Sequence, residues 1–142
     1  MKLSVLQAIF ASMEQGVLFI DDQNRIVYCN PAAEKIRNMS LDKVFGQSIL
    51  ECHPSKSRPK VLRIINDLRS EKVKGHHRMN IQTVEGRIYD NIYSAVWGPK
   101  NEYLGVVVVS QEVTERKRAE DGLKEAMKKL QLANEELKRL DK

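Results

Sequence analysis

The last apolar run of the chain, Tyr103 to Val113, leads directly into Thr114 to Lys142, a stretch without proline in which Gly122 is the sole glycine. There Leu123, Met127, Leu130, Leu137 and Leu140 form a narrow apolar stripe amid charge, the pattern of a long helix that exposes most of its surface. Such a helix contributes little to a core, so the core must come from the residues before it. The fold must also deliver a strand straight to the start of that helix. With Leu123, Leu130 and Leu137 at heptad position d, Met127 and Asn134 fall at a, where a buried Asn specifies a two-stranded register. Two readings stand: a homodimer coiled coil through these five residues, and a single amphipathic helix lying on its own domain.

The preceding residues supply the pieces. Leu3, Leu6, Ile9, Phe10 and Met13 recur at helical spacing before the stop at Gly16, predicting a helix over 2–14. Val17 to Ile20 and Arg25 to Cys29 are short β-favouring runs around the turn chemistry of Asp21-Asp22-Gln23-Asn24, and read as a hairpin. Asn30-Pro31 places an N-cap before a proline at the first helical position. Short helical pieces broken at Gly46 follow, then a longer helix carrying Val61, Leu62, Ile64, Ile65 and Leu68. After Gly75 the period changes to two, giving strands over 76–83, 88–97 and 103–113. The order β-β, helices, β-β-β predicts an α+β domain: one five-stranded antiparallel sheet with short helices on one face, plus an N-terminal and a long C-terminal helix.

Composition narrows the function classes. At 142 residues, 42% hydrophobic and 30% charged, the chain has room for one core. The formal charge of +5 arises from 24 basic and 19 acidic residues mixed along the sequence, with no basic stripe, so a nucleic-acid partner is not expected. The longest apolar stretch falls far below the roughly 20 residues of a membrane span, and no membrane contact is expected. Cys29 and Cys52 make neither a disulfide framework nor a zinc spacing, which suits a reducing cytoplasm.

Gly16-Val17-Leu18-Phe19-Ile20-Asp21 followed by Arg25 to Ala33, with Asn30-Pro31-Ala32-Ala33 at its end, resembles the opening of a PAS domain. Phe45-Gly46-Gln47-Ser48 resembles that family's glycine-containing short helix, Glu85-Gly86-Arg87 its turn, and Leu104-Gly105 with Val106 to Val109 its final strand. Glu112-Val113-Thr114-Glu115-Arg116-Lys117 is similar to the Asp-(Ile/Val)-Thr-Glu-Arg junction that hands over to a signalling helix, with Glu112 in place of the usual Asp. The resemblance divides the chain into an N-terminal flanking helix (1–15), a PAS domain (16–113) and a C-terminal signalling helix (114–142), with Glu112, Val113 and Thr114 as the signal junction. It implies a homodimeric sensory domain relaying a small-ligand or cofactor signal to a downstream effector domain of the same chain, such as a histidine kinase. The last residues stand inside a helix without a cap, as expected of a fragment of such a receptor.

PAS domains hold haem, flavin, metabolites or nothing, so the site rests on residues. A flavin photoadduct needs a Cys three residues after the helix glycine, where Ile49 stands, and is excluded. The commoner haem subgroup takes its ligand from the central helix, yet residues 57–70 contain no His. A second haem subgroup places its His seven residues after the glycine, where His53 falls, making His53 the candidate axial ligand of a haem b. Cys52 beside it is a candidate redox thiol. Val61, Ile64, Ile65, Leu68, Tyr93, Val107 and Val109 are candidates to line the cavity, and would equally pack an empty core. His76 and His77 begin a strand and face opposite sides, and Asp21-Asp22 reads as turn-forming. No catalytic constellation is present, so an enzymatic output would lie outside this sequence; the alternative to a ligand sensor is a ligand-free PAS domain that mediates protein association.

Overall fold

The computed structural model describes residues 3–71, 75–83 and 85–140. Helix α1 (Leu3–Ser12) precedes strands β1 (Gly16–Asp21) and β2 (Ile26–Cys29). Helices α2 (Pro31–Arg37) and α3 (Leu41–Val44), a 3-10 turn at Ile49–Cys52 and helix α4 (Arg58–Arg69) follow. Strands β3 (His76–Gln82), β4 (Ile88–Trp97) and β5 (Tyr103–Glu112) then lead into helix α5 (Thr114–Leu140). The strands form one sheet in the order β2-β1-β5-β4-β3, with every neighbouring pair antiparallel. This is the expected α+β architecture. The expected helix start at Lys2 and the expected end at Asp141 and Lys142 lie outside the described residues.

The two sheet halves meet where β1 pairs with β5, from Gly16 opposite Ser110 to Asp21 opposite Gly105. Gly105 has φ 146, and a Cβ there would overlap the Ile20 carbonyl, so only glycine lets β5 run this close to β1. Strand alternation then sends Leu18, Ile20, Val106, Val108 and Tyr93 to one face, against Val61, Ile64, Ile65 and Leu68 on the inward stripe of α4. Each buried aliphatic side chain contributes about 1.5–3 kcal/mol, so this layer is the main source of stability. The opposite face carries Phe19 paired with Tyr28, and α1 reaches it through Phe10, whose ring lies 5.7 Å from that of Tyr28.

Both sheet edges are protected. Along β2, the Ile26 N–H donates to the Gln47 carbonyl at 2.9 Å and the Gly46 N–H donates to the Ile26 carbonyl at 2.7 Å. β3, the other edge, is polar and mostly exposed, which discourages pairing with another chain.

Asn30, fully buried, ties the first third of the chain together. Its Oδ1 accepts from the N–H of Val17 and from that of Ala33, both at 2.9 Å, so one atom caps α2 and anchors the start of β1. Its Nδ2 donates to the carbonyls of Phe10 at 2.8 Å and Gln15 at 3.0 Å, holding the end of α1. The backbone N–H of Asn30 also donates to the Val17 carbonyl at 3.0 Å. Asn30→Ala orphans two backbone N–H groups and is expected to destabilise the domain by at least about 2 kcal/mol in chemical denaturation. Asn30→Asp keeps the acceptor but points an oxygen at two carbonyls. Hydrogen exchange should then show α1 released while β1, β5 and α4 stay protected; uniform loss across the sheet would contradict this division of labour.

Candidate functional site

Between the inner sheet face and α4 lies a cavity of about 10 Å³, room for a single water. Its apolar wall comes from Leu18 and Ile20 of β1, Val106 and Val108 of β5, Val61 and Ile65 of α4, and Ile49; Tyr93, His53 and Arg37 supply the polar groups. Of the expected lining residues, Val61, Ile65 and Tyr93 are present. Ile64 and Leu68 are buried in the surrounding core without reaching the cavity. Val107 and Val109 are a correction: they stand opposite Phe19 and Val17 on the other sheet face, and their neighbours Val106 and Val108 take the inner positions. A run of four valines carries no alternation of its own, so its parity is set by pairing with β1 and not by composition.

Arg37 is the functional candidate that sequence reasoning missed. At the last turn of α2 it reads as a cation complementing the helix dipole. It stands one helical turn after Ala33, which is buried, and that i to i+4 relation is the signal that it shares the inward face. Its Nη2 donates to the Ser110 hydroxyl at 3.4 Å, and Tyr93 lines the same cavity beside it. Its Nε is sealed from solvent without a partner. Burial pushes the guanidinium's pKa below its ordinary value.

His53 is half-buried at the end of the 3-10 turn and reaches the cavity. Its Nδ1 lies 2.9 Å from the Ile49 carbonyl, which only accepts, so Nδ1 carries a proton and a neutral ring presents its lone pair at Nε2. That tautomer suits an iron ligand. The room does not: a ligand of haem's size takes a cavity on the order of 300 Å³ or more, and here Val61, Ile65 and Arg37 fill the space. The residues in this arrangement do not fit the macrocycle.

The thiols are held in their neutral forms. Cys52 is exposed at the C-terminal end of the 3-10 turn, where carbonyls oppose a thiolate, and local burial with Glu51 raises its pKa. The candidate redox thiol thus stands where its reactive thiolate is disfavoured, because the helix end in question is the electronegative one. Cys29 is buried in the core, its thiol pushed up to about 11 mainly by desolvation. His77 meets Tyr93 at 6.0 Å between ring centroids while His76 is exposed beside Ser94, so the two imidazoles do face opposite sides. Among the described residues no group of three His, Cys, Asp or Glu side chains could hold a metal ion. Asp21 has the turn-forming role expected of it, its Oδ1 accepting from the N–H groups of Gln23 and Arg25, both at 2.9 Å.

The junction between the sheet and α5 is built on Thr114. Its hydroxyl donates to Glu112 Oε2 at 2.9 Å and accepts from the Ile88 N–H at 2.9 Å, while the Val113 N–H donates to the Ile88 carbonyl at 2.8 Å. The start of β4, the end of β5 and the first turn of α5 are thus joined at one residue, with Glu112 making the side-chain contact. An open cleft of about 420 Å³ lined by Glu14, Gln15, Gln111 and Glu112 places the exit of α1 beside this junction. Beyond it α5 runs for about 40 Å at 1.5 Å per residue, and Leu123, Met127, Leu130 and Leu137 are each about 60% exposed.

Comparison with known proteins agrees with this geometry. A family model described as a PAS domain matches residues 6–114. The PAS domain of BvgS from Bordetella pertussis superimposes with a TM-score of 0.67 at 17% identity, over 89% of this chain and 97% of that one. The C-terminal domain of a Streptococcus mutans protein gives 0.70 at 21% identity, over 84% and 90%. A sensory box histidine kinase/response regulator from Burkholderia thailandensis gives 0.56 at 22% identity, over 89% and 97%. No curated protein matches the chain. At these identities the structural likenesses show the fold, while the family model spans most of the chain from α1 to the junction at Thr114: the chain belongs to the PAS domain family.

Proposed function

We propose that this PAS domain is a sensory relay module: a change at the cavity between sheet and α4 alters the end of β5, and α5, paired with that of a second copy, carries it to an effector of the same protein, such as a histidine kinase. The observation that carries this reading is the double hydrogen bond of Thr114, which makes the direction of α5 depend on both β4 and β5. A ligand shifts such a junction only by as much as its affinity differs between the two arrangements. The exposed stripe of α5, with Asn134 at an a position, supplies a surface whose burial in a parallel pair would fix the register. No described helix is long and apolar enough to cross a membrane, in keeping with a cytoplasmic setting for this part of the protein.

A second reading, a ligand-free domain that only mediates association, is favoured by the cavity's volume of about 10 Å³. Visible absorption of protein expressed with haem supplied, and mass spectrometry of the protein as purified, separate the readings. The packed cavity predicts no haem band; a band lost in His53→Ala would show that α4 and the 3-10 turn part to admit the group. A small molecule that copurifies would support the sensor, whereas none would favour the scaffold.

Leu130→Asp with Leu137→Asp is expected to convert a dimer to a monomer in sedimentation, with unchanged melting of the domain. A dimer indifferent to both changes would remove α5 from the assembly. Thr114→Val leaves the Ile88 N–H without its acceptor and should destabilise the junction by about 1–3 kcal/mol. Hydrogen exchange should then rise at Ile88 and Lys117 while Val106 and Val108 stay protected; unchanged exchange at Ile88 would show that the hydroxyl does not hold the helix.

A further inference from the structure

Arg37 is a cation turned into the core without an anion. None of the ion pairs among the described residues includes it. Its hydrogen-bond partner is the Ser110 hydroxyl, Tyr93 beside it in the cavity is no carboxylate, and the Cys29 and Cys52 thiols near it have raised pKa values that favour their neutral forms. Glu34, one turn back on the same helix, is engaged elsewhere, its Oε2 accepting from the Leu41 N–H at 2.9 Å. Nε is buried without a protein acceptor. A guanidinium is planar and presents its N–H groups in a fork that matches a carboxylate, so the unused donor marks one side of an incomplete bidentate site.

The rest of the cavity decides what completes it. Its walls are aliphatic, from Leu18, Ile49, Val61, Ile65 and Val106 among others, and no lysine or second arginine lines it. A phosphate dianion would need more donors than one guanidinium and a tyrosine hydroxyl. A single negative head with a short apolar body matches both the cation and the walls. The volume of about 10 Å³ means that even a small ligand must push α4 or the 3-10 turn away from the sheet. We propose that the cavity is a recognition site for short-chain monocarboxylates, with Arg37 gripping the carboxylate and Tyr93 donating beside it. The idea rests on the sensory reading above and names its ligand class: the anion neutralises a half-buried cation and at the same time displaces the helix layer packed on β5.

The test uses the full chain at constant ionic strength, with sodium acetate, propionate and butyrate as probes and butyramide and sodium chloride as controls. Calorimetry and melting temperature should show saturable binding that strengthens from acetate to butyrate, with no response to butyramide or chloride. Arg37→Met should weaken butyrate binding by roughly 10- to 100-fold and melt at or above the wild-type temperature, because an apolar chain replaces an uncompensated cation. Arg37→Lys keeps the charge without the fork and should restore part of the affinity. Absence of saturable carboxylate binding in the wild type, or equal binding by Arg37→Met, overturns the proposal. So does a large loss of melting temperature in both variants, which would make Arg37 a structural strut held by Tyr93 and Ser110. Self-association through α5 is measured separately, so loss of carboxylate binding with an intact Leu130 and Leu137 effect would sink this inference and leave the relay standing.

Discussion

The packing of this domain depends on Asn30. A primary amide has two donor hydrogens on one side and an acceptor oxygen on the other, and here every one of them is used: the oxygen serves two backbone N–H groups and the nitrogen two carbonyls. Since these belong to the ends of α1 and β1 and to the first turn of α2, their relative positions follow from one planar group. α2 must leave β2 at the angle this geometry allows, which directs Ala33 and, one turn later, Arg37 toward the inner face of the sheet. The polar end of the cavity is therefore a downstream consequence of a cap at the end of β2.

A second constraint acts at the far end of the chain. β5 is the central strand, flanked by β1 and β4, so no residue of it moves without disturbing two ladders. Its inner face lines the cavity through Val106 and Val108, and its last residue, Glu112, bonds Thr114. The cavity and the junction with α5 thus stand at two ends of the same strand. A relay of the proposed kind would require no long network of side chains, only a small change in how β5 sits between its neighbours, next to a helix that begins after one intervening residue, Val113. The cleft shared by Gln15 and Glu112 brings the chain's entry to the same place, so both flanking segments lie beside the end of that strand.

The cavity departs from a plain core at one residue. Most of it obeys ordinary close packing, with little free volume. Against this stands Arg37, whose desolvation is unfavourable unless an anion arrives. A core built only for stability would place an aliphatic residue there, as the surrounding leucine, isoleucine and valine side chains do. His53 and Cys52, the residues that draw attention in the sequence, turn out to be less unusual: the imidazole is satisfied by the carbonyl of Ile49, and the thiol sits at a helix end that disfavours its charge.

The sequence by itself determined the elements and the family. Hydrophobic period distinguishes α4 from the strands and Asn30-Pro31 marks a helix start, both local chemistry legible without knowing what lies across the sheet, while the run from Glu112 to Lys117 marks the junction through its resemblance to the family. What only the tertiary structure decided is which way side chains face where the local pattern is silent. The valines from Val106 to Val109 are alike in sequence, and pairing with β1 alone sends Val106 and Val108 inward and Val107 and Val109 outward. Arg37 resembles any basic residue at a helix end until Asn30 aims its helix at the sheet. The haem expectation at His53 likewise met a limit that spacing cannot express, since free volume belongs to the packing of β1, β5 and α4 together and not to any one segment.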